Sequence, residues 1–122
     1  MDWNLTAGRP VYLQLIEQLE QAIVAGIFPP GSRVPPVREL AAEAGVNPNT
    51  MQRALQELEN RGLLQTQRTA GRTVTTEATR LTELRHHRAA EQAAAFWQQL
   101  QALGLTLDEA HALLDRAAKE EL

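Results

Sequence analysis

The connection Gly45-Val46-Asn47, which joins two helical patterns, is the feature that most restricts the fold of this chain. Apolar residues fall at i, i+3, i+4 and i+7 in the segment 37–44, and the same spacing returns in the segment 51–58. This periodicity predicts two amphipathic helices, and a glycine suits the left-handed position that ends the first. Two helices joined by so short a glycine-containing turn predict a helix-turn-helix.

The second of these helices has a well-marked start and end. Asn47 is suited to the N-cap, where its side chain accepts a hydrogen bond from a free backbone N–H. Pro48 is suited to the first helical position, because its missing N–H costs nothing there. Gly62 is expected to end the helix. The buried face is formed by Met51, Ala54, Leu55 and Leu58.

Asn49, Thr50 and Arg53 are left on the outer face of this helix, near its N-terminus. These side chains are suited to the edges of DNA bases. Asparagine can form hydrogen bonds with adenine, arginine can form them with guanine, and a threonine methyl can contact the thymine methyl. An alternative remains open, in which Asn47 only caps the helix, Thr50 is solvated and Arg53 pairs with Glu57 at i+4.

The flanking sequence predicts the rest of the domain. A third amphipathic stripe runs through residues 12–23 and ends at Gly26, and the proline-rich segment 28–32 is expected to be a turn. Two β-rich runs, 63–67 and 72–76, flank a tip at residues 68–71 and predict a hairpin. Three helices followed by a hairpin indicate a winged helix-turn-helix, a mainly α fold with a small β-hairpin.

The remainder of the chain predicts a helical hairpin. Residues 78–103 contain neither glycine nor proline and predict one helix, which Gly104 is expected to end. Thr106 and Glu109 have the spacing of a capping box at the start of a second helix. We therefore place a DNA-binding domain at residues 1–76 and a two-helix segment at residues 77–122.

Charge is unevenly distributed along the chain. The formal net charge is −3, yet the only charged residues between Asn60 and Thr76 are Arg61, Arg68 and Arg72. Local charge decides where a polyanion docks, so the hairpin is a candidate phosphate or minor-groove contact. Arg33 is a further candidate on charge alone. The alternative for these arginines is ordinary solubility.

Other classes of protein are not favoured by the composition. There is no cysteine, which excludes disulfides, and neither a signal peptide nor a membrane-length apolar run is present, so we expect a cytoplasmic protein. His86 and His87 lie at helical spacing from Glu83 and Glu91, but a metal site needs convergent ligands with oriented supports, and a solvated face is favoured. We expect no cofactor and no enzymatic activity.

The apolar stripes of the tail need a partner surface, because one helical hairpin has too few layers for its own core. Dimerisation is favoured, since a single winged helix contacts few base pairs, and packing within the chain is the alternative. Trp97 is the expected central anchor. The candidate dimerisation residues are Leu81, Leu84, Trp97, Leu100, Leu113 and Leu114.

Ordered residues along the N-terminal part carry a family resemblance. They are Pro10-x-Tyr12-x-Gln14, Gly26, Pro30-Gly31, Pro35, Arg38-Glu39-Leu40-Ala41, Gly45-Val46, Thr50, Arg53-Ala54, Leu58-Glu59, Gly62-Leu63-Leu64 and Gly71-x-x-Val74. Over residues 9–75 the chain resembles the GntR family of bacterial repressors, and Asn47-Pro48-Asn49-Thr50 is similar to its YtrA-like branch, which has a short two-helix C-terminal segment.

This resemblance implies a homodimer that binds double-stranded DNA at a palindromic operator and represses genes that often encode ABC-type transporters. It implies contacts from Arg38, from the start of the third helix and from the wing tip; a surface ion pair with Glu39 is the alternative for Arg38. The resulting DNA-binding candidates are Arg38, Asn47, Asn49, Thr50, Arg53, Arg68, Thr69, Gly71 and Arg72. No residues indicate a small-molecule effector site.

Three positions depart from the family pattern. Pro36 replaces the usual serine and removes a capping box with Glu39, Gln52 stands where many relatives have arginine, and Thr69 stands where the wing commonly has glycine. The departures at Gln52 and Thr69 keep a second class open: a winged-helix protein-interaction module that does not bind DNA.

Overall fold

The computed structural model describes residues 1–121, and it contains five helices and one two-stranded antiparallel sheet within them. The elements are α1 (Val11–Val24), α2 (Val37–Ala44), α3 (Pro48–Asn60), β1 (Leu64–Gln67), β2 (Gly71–Val74), α4 (Ala78–Ala102) and α5 (Leu107–Glu121). The chain divides into two compact units, Met1–Arg85 and His86–Leu122. The first is a winged helix-turn-helix, which confirms the predicted fold class.

The core of the first unit is formed by the stripes that the sequence predicted. Its fully buried large side chains are Leu15, Leu19, Leu40, Met51, Leu55, Leu58 and Val74. They come from α1, α2, α3 and β2, so the three helices and the hairpin share one core. Each such side chain contributes about 1.5–3 kcal/mol relative to an exposed one, and this burial fixes the orientation of α3.

The turn between α2 and α3 has the predicted geometry. Gly45 adopts φ 69°, and the N–H of Val46 donates to the carbonyl of Ala41 at 3.0 Å, which closes the end of α2. The Oδ1 of Asn47 accepts from the backbone N–H of Asn49 at 2.8 Å, as expected for an N-cap. At the other end of α2, Pro36 is the N-cap without a side-chain hydrogen bond, which confirms the loss of the capping box.

The wing has more backbone pairing than the sequence predicted. Strands β1 and β2 pair with Leu64 opposite Val74 and Gln67 opposite Gly71. The segment 31–34 adds to β2: the N–H of Val34 donates to Arg72, and the carbonyl of Ser32 accepts from Val74, at 2.9 and 3.0 Å. This segment anchors the base of the wing to the domain beside α2.

Two glutamines on α1 hold the N-terminal arm. Gln14 is 2% exposed, and its amide bonds the N–H and carbonyl of Thr6 and the carbonyl of Arg9. One turn later, Gln18 bonds both the N–H and the carbonyl of Asn4. Neither role is predictable from the sequence, because these side chains bond a segment that has no regular periodicity.

The first turns of α4 belong to the N-terminal unit. Leu81 and Leu84 are partly buried against its core, and the unit extends to Arg85, whereas the sequence placed its boundary after Thr76. Arg80 donates from Nη1 to the carbonyl of Arg61 at 2.9 Å, which satisfies a free carbonyl at the end of α3.

The second unit contains the rest of α4 and α5. Gly104 adopts φ 83°, and the N–H of Leu105 donates to the carbonyl of Leu100 at 3.1 Å, so the helix ends where predicted. Thr106 and Glu109 form the predicted capping box, each accepting from the other's backbone N–H at 3.2 and 3.0 Å. No helix within residues 1–121 is long and apolar enough to cross a membrane.

Candidate nucleic-acid interface

The outer face of α3 carries polar side chains opposite the buried stripe. Asn49, Gln52 and Arg53 are exposed and Thr50 is half-buried, whereas Met51 on the inner face is fully buried. The helix is therefore held by its apolar side and presents amides, a hydroxyl and a guanidinium on the other. These groups match donors and acceptors on base edges in the major groove.

Arg53 is held by an aromatic ring. Its guanidinium carbon lies 4.5 Å from the centroid of the Tyr12 ring, a cation–π geometry. The alternative partner named from the sequence, Glu57, accepts from Nε of Arg61 at 3.1 Å. Tyr12 on α1 thus restricts the conformations of an exposed arginine without neutralising its charge.

The carboxylates near the end of α3 have partners within the domain. Arg61, the C-cap of α3, contacts Glu57 and also Glu20 on α1, the latter at 3.3 Å. Burial lowers the pKa of the Arg61 guanidinium, but the hydrogen bond that it donates to Glu57 and the charges of the Glu57 and Glu20 carboxylates outweigh burial and hold that pKa above its ordinary value. These acids are therefore compensated near the helix that would meet DNA.

Exposed arginines surround the wing. Arg68 and Thr69 lie exposed at its tip, and Arg33 lies beside its base. Gly71 adopts φ 76°, and a Cβ at that position would lie 3.7 Å from Nε of Arg33. The backbone pairing of segment 31–34 with β2 therefore brings Arg33 to the wing, a placement that the sequence pattern did not predict.

Arg72 has partners inside the domain. Its Nε donates to Oε1 of Glu59 at 2.5 Å, and its Nη1 donates to the amide oxygen of Gln52 at 3.2 Å. The Arg72 and Glu59 side chains are only 17% and 19% exposed. Within the part of the chain that the structure describes, Arg72 and the N-cap Asn47 are thus predicted DNA-binding residues whose side chains already form hydrogen bonds inside the domain.

A cleft of about 310 Å³ separates the wing from the start of α2. Its walls are residues 33–37 on one side and Thr66, Gly71 and Arg72 on the other. Arg38, the next residue along α2, is exposed in the first turn of that helix, beside exposed Glu39. The cleft is thus bordered by the wing and by the N-terminus of α2, and both of these elements carry predicted phosphate contacts.

No three histidine or acidic side chains converge as metal ligands within the residues that the structure describes. His87 instead lies 2.6 Å from Glu91 on the same exposed helix surface. Both side chains are well exposed.

The fold and the outer face of α3 define a helix-turn-helix protein, and comparison with known sequences gives its family. The family model of bacterial regulatory proteins, gntR family, matches residues 11–74, just over half of the chain. The uncharacterised HTH-type transcriptional regulator YhcF of Bacillus subtilis is 36% identical over 109 residues, which span 89% of this chain and 90% of that protein. The chain belongs to the GntR family and is a DNA-binding transcriptional regulator.

Two further similarities agree with this membership. The HTH-type transcriptional repressor YtrA of Bacillus subtilis is 42% identical over 65 residues, which span 53% of this chain and 50% of that protein. A GntR family transcriptional regulator from Listeria monocytogenes has a similar structure, with a TM-score of 0.84, 29% identity, and coverage of 92% of this chain and 98% of that one. The predicted similarity to the YtrA-like branch is confirmed. Regulators of transcription, not enzymes, make up this family.

Proposed function

We propose that this regulator is a repressor that binds a palindromic operator as a homodimer. One observation carries the proposal: the outer face of α3 presents Asn49, Thr50 and Arg53 while the opposite face is locked into the core. In helix-turn-helix docking, the N-terminal part of the second helix lies in the major groove. Repression is supported by the similarity to YtrA, a protein named as a repressor.

The base contacts are proposed at Asn49, Thr50 and Arg53, and the phosphate contacts at exposed residues around them. Arg38 on α2 and the tip residues Arg68, Thr69 and Gly71 are the proposed phosphate contacts. The side-chain oxygen of Asn47 accepts the capping hydrogen bond, so its NH2 group is the part of the side chain that is proposed to contact DNA. Phosphate contacts position the domain and base contacts give specificity.

Dimerisation is proposed through the second unit, because its single copy leaves large apolar side chains uncovered. Leu103, Leu107 and Leu114 are 75%, 53% and 59% exposed. Of the residues predicted from the sequence, Trp97 is half-buried, Leu113 is 39% exposed, and Leu100 is buried within the chain. Leu81 and Leu84 already pack against the core of the first unit.

A two-fold symmetric dimer would place two copies of α3 about 34 Å apart, in successive major grooves on one side of the duplex. The operator is then expected to be palindromic. A transporter operon under its control is proposed from the family resemblance. A cytoplasmic location is part of the proposal, because the proposed target is DNA.

Selection of bound duplexes from a random pool tests this function with the full chain. The expected result is a palindrome whose half-sites are one helical turn apart, centre to centre. Recovery of non-symmetric sequences or of single half-sites would contradict the dimeric mode. Failure to enrich any sequence would favour the protein-interaction module over a sequence-specific repressor.

A further inference from the structure

One carboxylate oxygen joins the wing to the recognition helix. Oε1 of Glu59 on α3 accepts from Oγ1 of Thr66 on β1 at 2.8 Å and from Nε of Arg72 on β2 at 2.5 Å. Both strands of the wing are thus tied to the same point on α3. Hydrogen bonds that involve an ionised group are stronger than neutral ones, and this pair is largely shielded from water.

Arg72 extends the connection to the exposed side of α3. Its Nη1 donates to the amide oxygen of Gln52 at 3.2 Å while its Nε remains on Glu59. If Arg72 turned outward to a phosphate, the half-buried carboxylate of Glu59 would lose its counter-charge. Removing one partner of a shielded ion pair is costly, so the inward position of Arg72 is favoured.

The contact also determines which end of the Gln52 amide faces outward. Arginine has donors and no acceptor, so the oxygen of Gln52 must be the atom that faces Arg72. The NH2 group lies on the other side of the amide carbon and has no hydrogen bond among the contacts of the described residues. A glutamine that binds adenine uses both its oxygen and its nitrogen. The oxygen of Gln52 already accepts from Arg72, so only its NH2 group can donate to a base.

We propose that Arg72 and Glu59 are positioning residues that lock the wing to α3 and orient Gln52, so that its NH2 group donates to an acceptor on a base edge. Guanine N7 and O6 and thymine O4 are such acceptors in the major groove. This inference rests on the proposed function. It differs from the general expectation for a wing arginine, because Arg72 acts through Gln52 and neutralises no phosphate.

The salt dependence of binding distinguishes the two roles of Arg72. The affinity of the full chain for its selected duplex is measured between about 50 and 200 mM salt for wild type, Arg72→Gln and the matched control Arg68→Gln. Each phosphate contact contributes a slope of about −0.9 in log K against log salt. We expect Arg68→Gln to reduce the steepness by about 0.9 per subunit and Arg72→Gln to leave it unchanged. An equal reduction in Arg72→Gln would overturn the proposal.

The second measurement is base preference. If Arg72 only stabilised the fold, its replacement would not relax the preference at the same base pair as the replacement of Gln52. Gln52→Ala and Arg72→Gln are expected to relax discrimination at the same base pair of each half-site, roughly tenfold, and the double variant is expected to relax it no further. Gln56→Ala, an exposed glutamine one turn later on α3, is the control and should leave that position unchanged.

Two outcomes would contradict the positioning role. If Arg72→Gln reduces the affinity for every sequence equally, Arg72 supports only the fold. If Arg72→Gln relaxes the preference at a base pair that Gln52→Ala does not affect, Arg72 does not act through Gln52. Thermal unfolding of each variant identifies loss of fold, and Arg72→Lys, which keeps a donor for Glu59, is expected to restore part of the base preference. If wild type binds no duplex, the proposed function itself fails, a result distinct from all the others.

Discussion

The guanidinium of Arg53 lies over the ring of Tyr12, with 4.5 Å between its central carbon and the ring centroid. Tyr12 is on α1 and Arg53 is on the outer face of α3, so the first helix of the domain orients a side chain on the third. An exposed arginine normally occupies many rotamers, and ordering it on binding has an entropic cost. For the base contact proposed at Arg53, the Tyr12 ring would reduce that cost, because it limits the rotamers of the free side chain.

Arg53→Ala is expected to cost ~1–3 kcal/mol of binding free energy on the selected operator and to relax preference at one position of each half-site. The reason is the loss of an arginine–base contact. Competition binding against single-base variants of the operator measures it, and Arg116→Ala, on α5, is a control that should leave affinity unchanged. A uniform loss across all sequences would instead make Arg53 a phosphate contact.

Trp97→Ala and Leu107→Arg are expected to shift the protein from dimer to monomer. The first removes a half-buried aromatic and the second places a charge on an apolar residue that is 53% exposed in the single chain. Light scattering across a concentration series measures the change. Gln98→Arg, at an exposed polar position of α4, serves as control and should remain dimeric. Unchanged dimers in both test variants would place the interface elsewhere.

Gly62→Ala is expected to destabilise the fold more than Gly26→Ala does. Both glycines have positive φ, 76° and 79°, so both substitutions cost about 1–3 kcal/mol in backbone strain. Only at Gly62 would the new Cβ come within 2.8 Å of Nη1 of Arg80, while at Gly26 nothing lies within 4 Å. Urea unfolding measures both losses. Equal losses would mean that the Arg80 side chain moves aside freely.

Gln14→Leu is expected to cost about 2–4 kcal/mol of unfolding free energy, because backbone groups of the N-terminal arm lose hydrogen-bond partners at a site that is 2% exposed. Gln18→Leu is the comparison, since it removes two similar bonds in a more exposed place. Denaturant unfolding of both variants tests the difference. A smaller loss for Gln14→Leu would show that the arm contributes little to stability.

Local patterns predicted the elements that depend on near neighbours. The turn at Gly45, the cap at Asn47 and the capping box at Thr106 each follow from a few adjacent residues, and the structure confirms all three. The inner and outer faces of α3 followed from helical periodicity alone. The outer face of α3 carries the base contacts proposed at Asn49, Thr50 and Arg53, so this part of the candidate site was predictable from the sequence.

Contacts between distant segments were not accessible in the same way. An apolar stripe indicates that a face is covered but does not identify the covering surface, so Leu81 and Leu84 were assigned to the tail although they pack against the core of the first unit. The Glu59–Arg72 pair depends on the register of the wing against α3, which no local pattern specifies. Arg33 reaches the wing through backbone pairing of a segment without strand periodicity.

The most direct test of the central claim is titration of the full chain against its selected operator and against the same duplex with about five base pairs, half a helical turn, inserted between the half-sites. A dimer that contacts both half-sites through α3 should bind the operator as two chains per duplex and lose most of its specific affinity for the lengthened one. Unchanged affinity after the insertion, or saturation at one chain per duplex, would contradict the account.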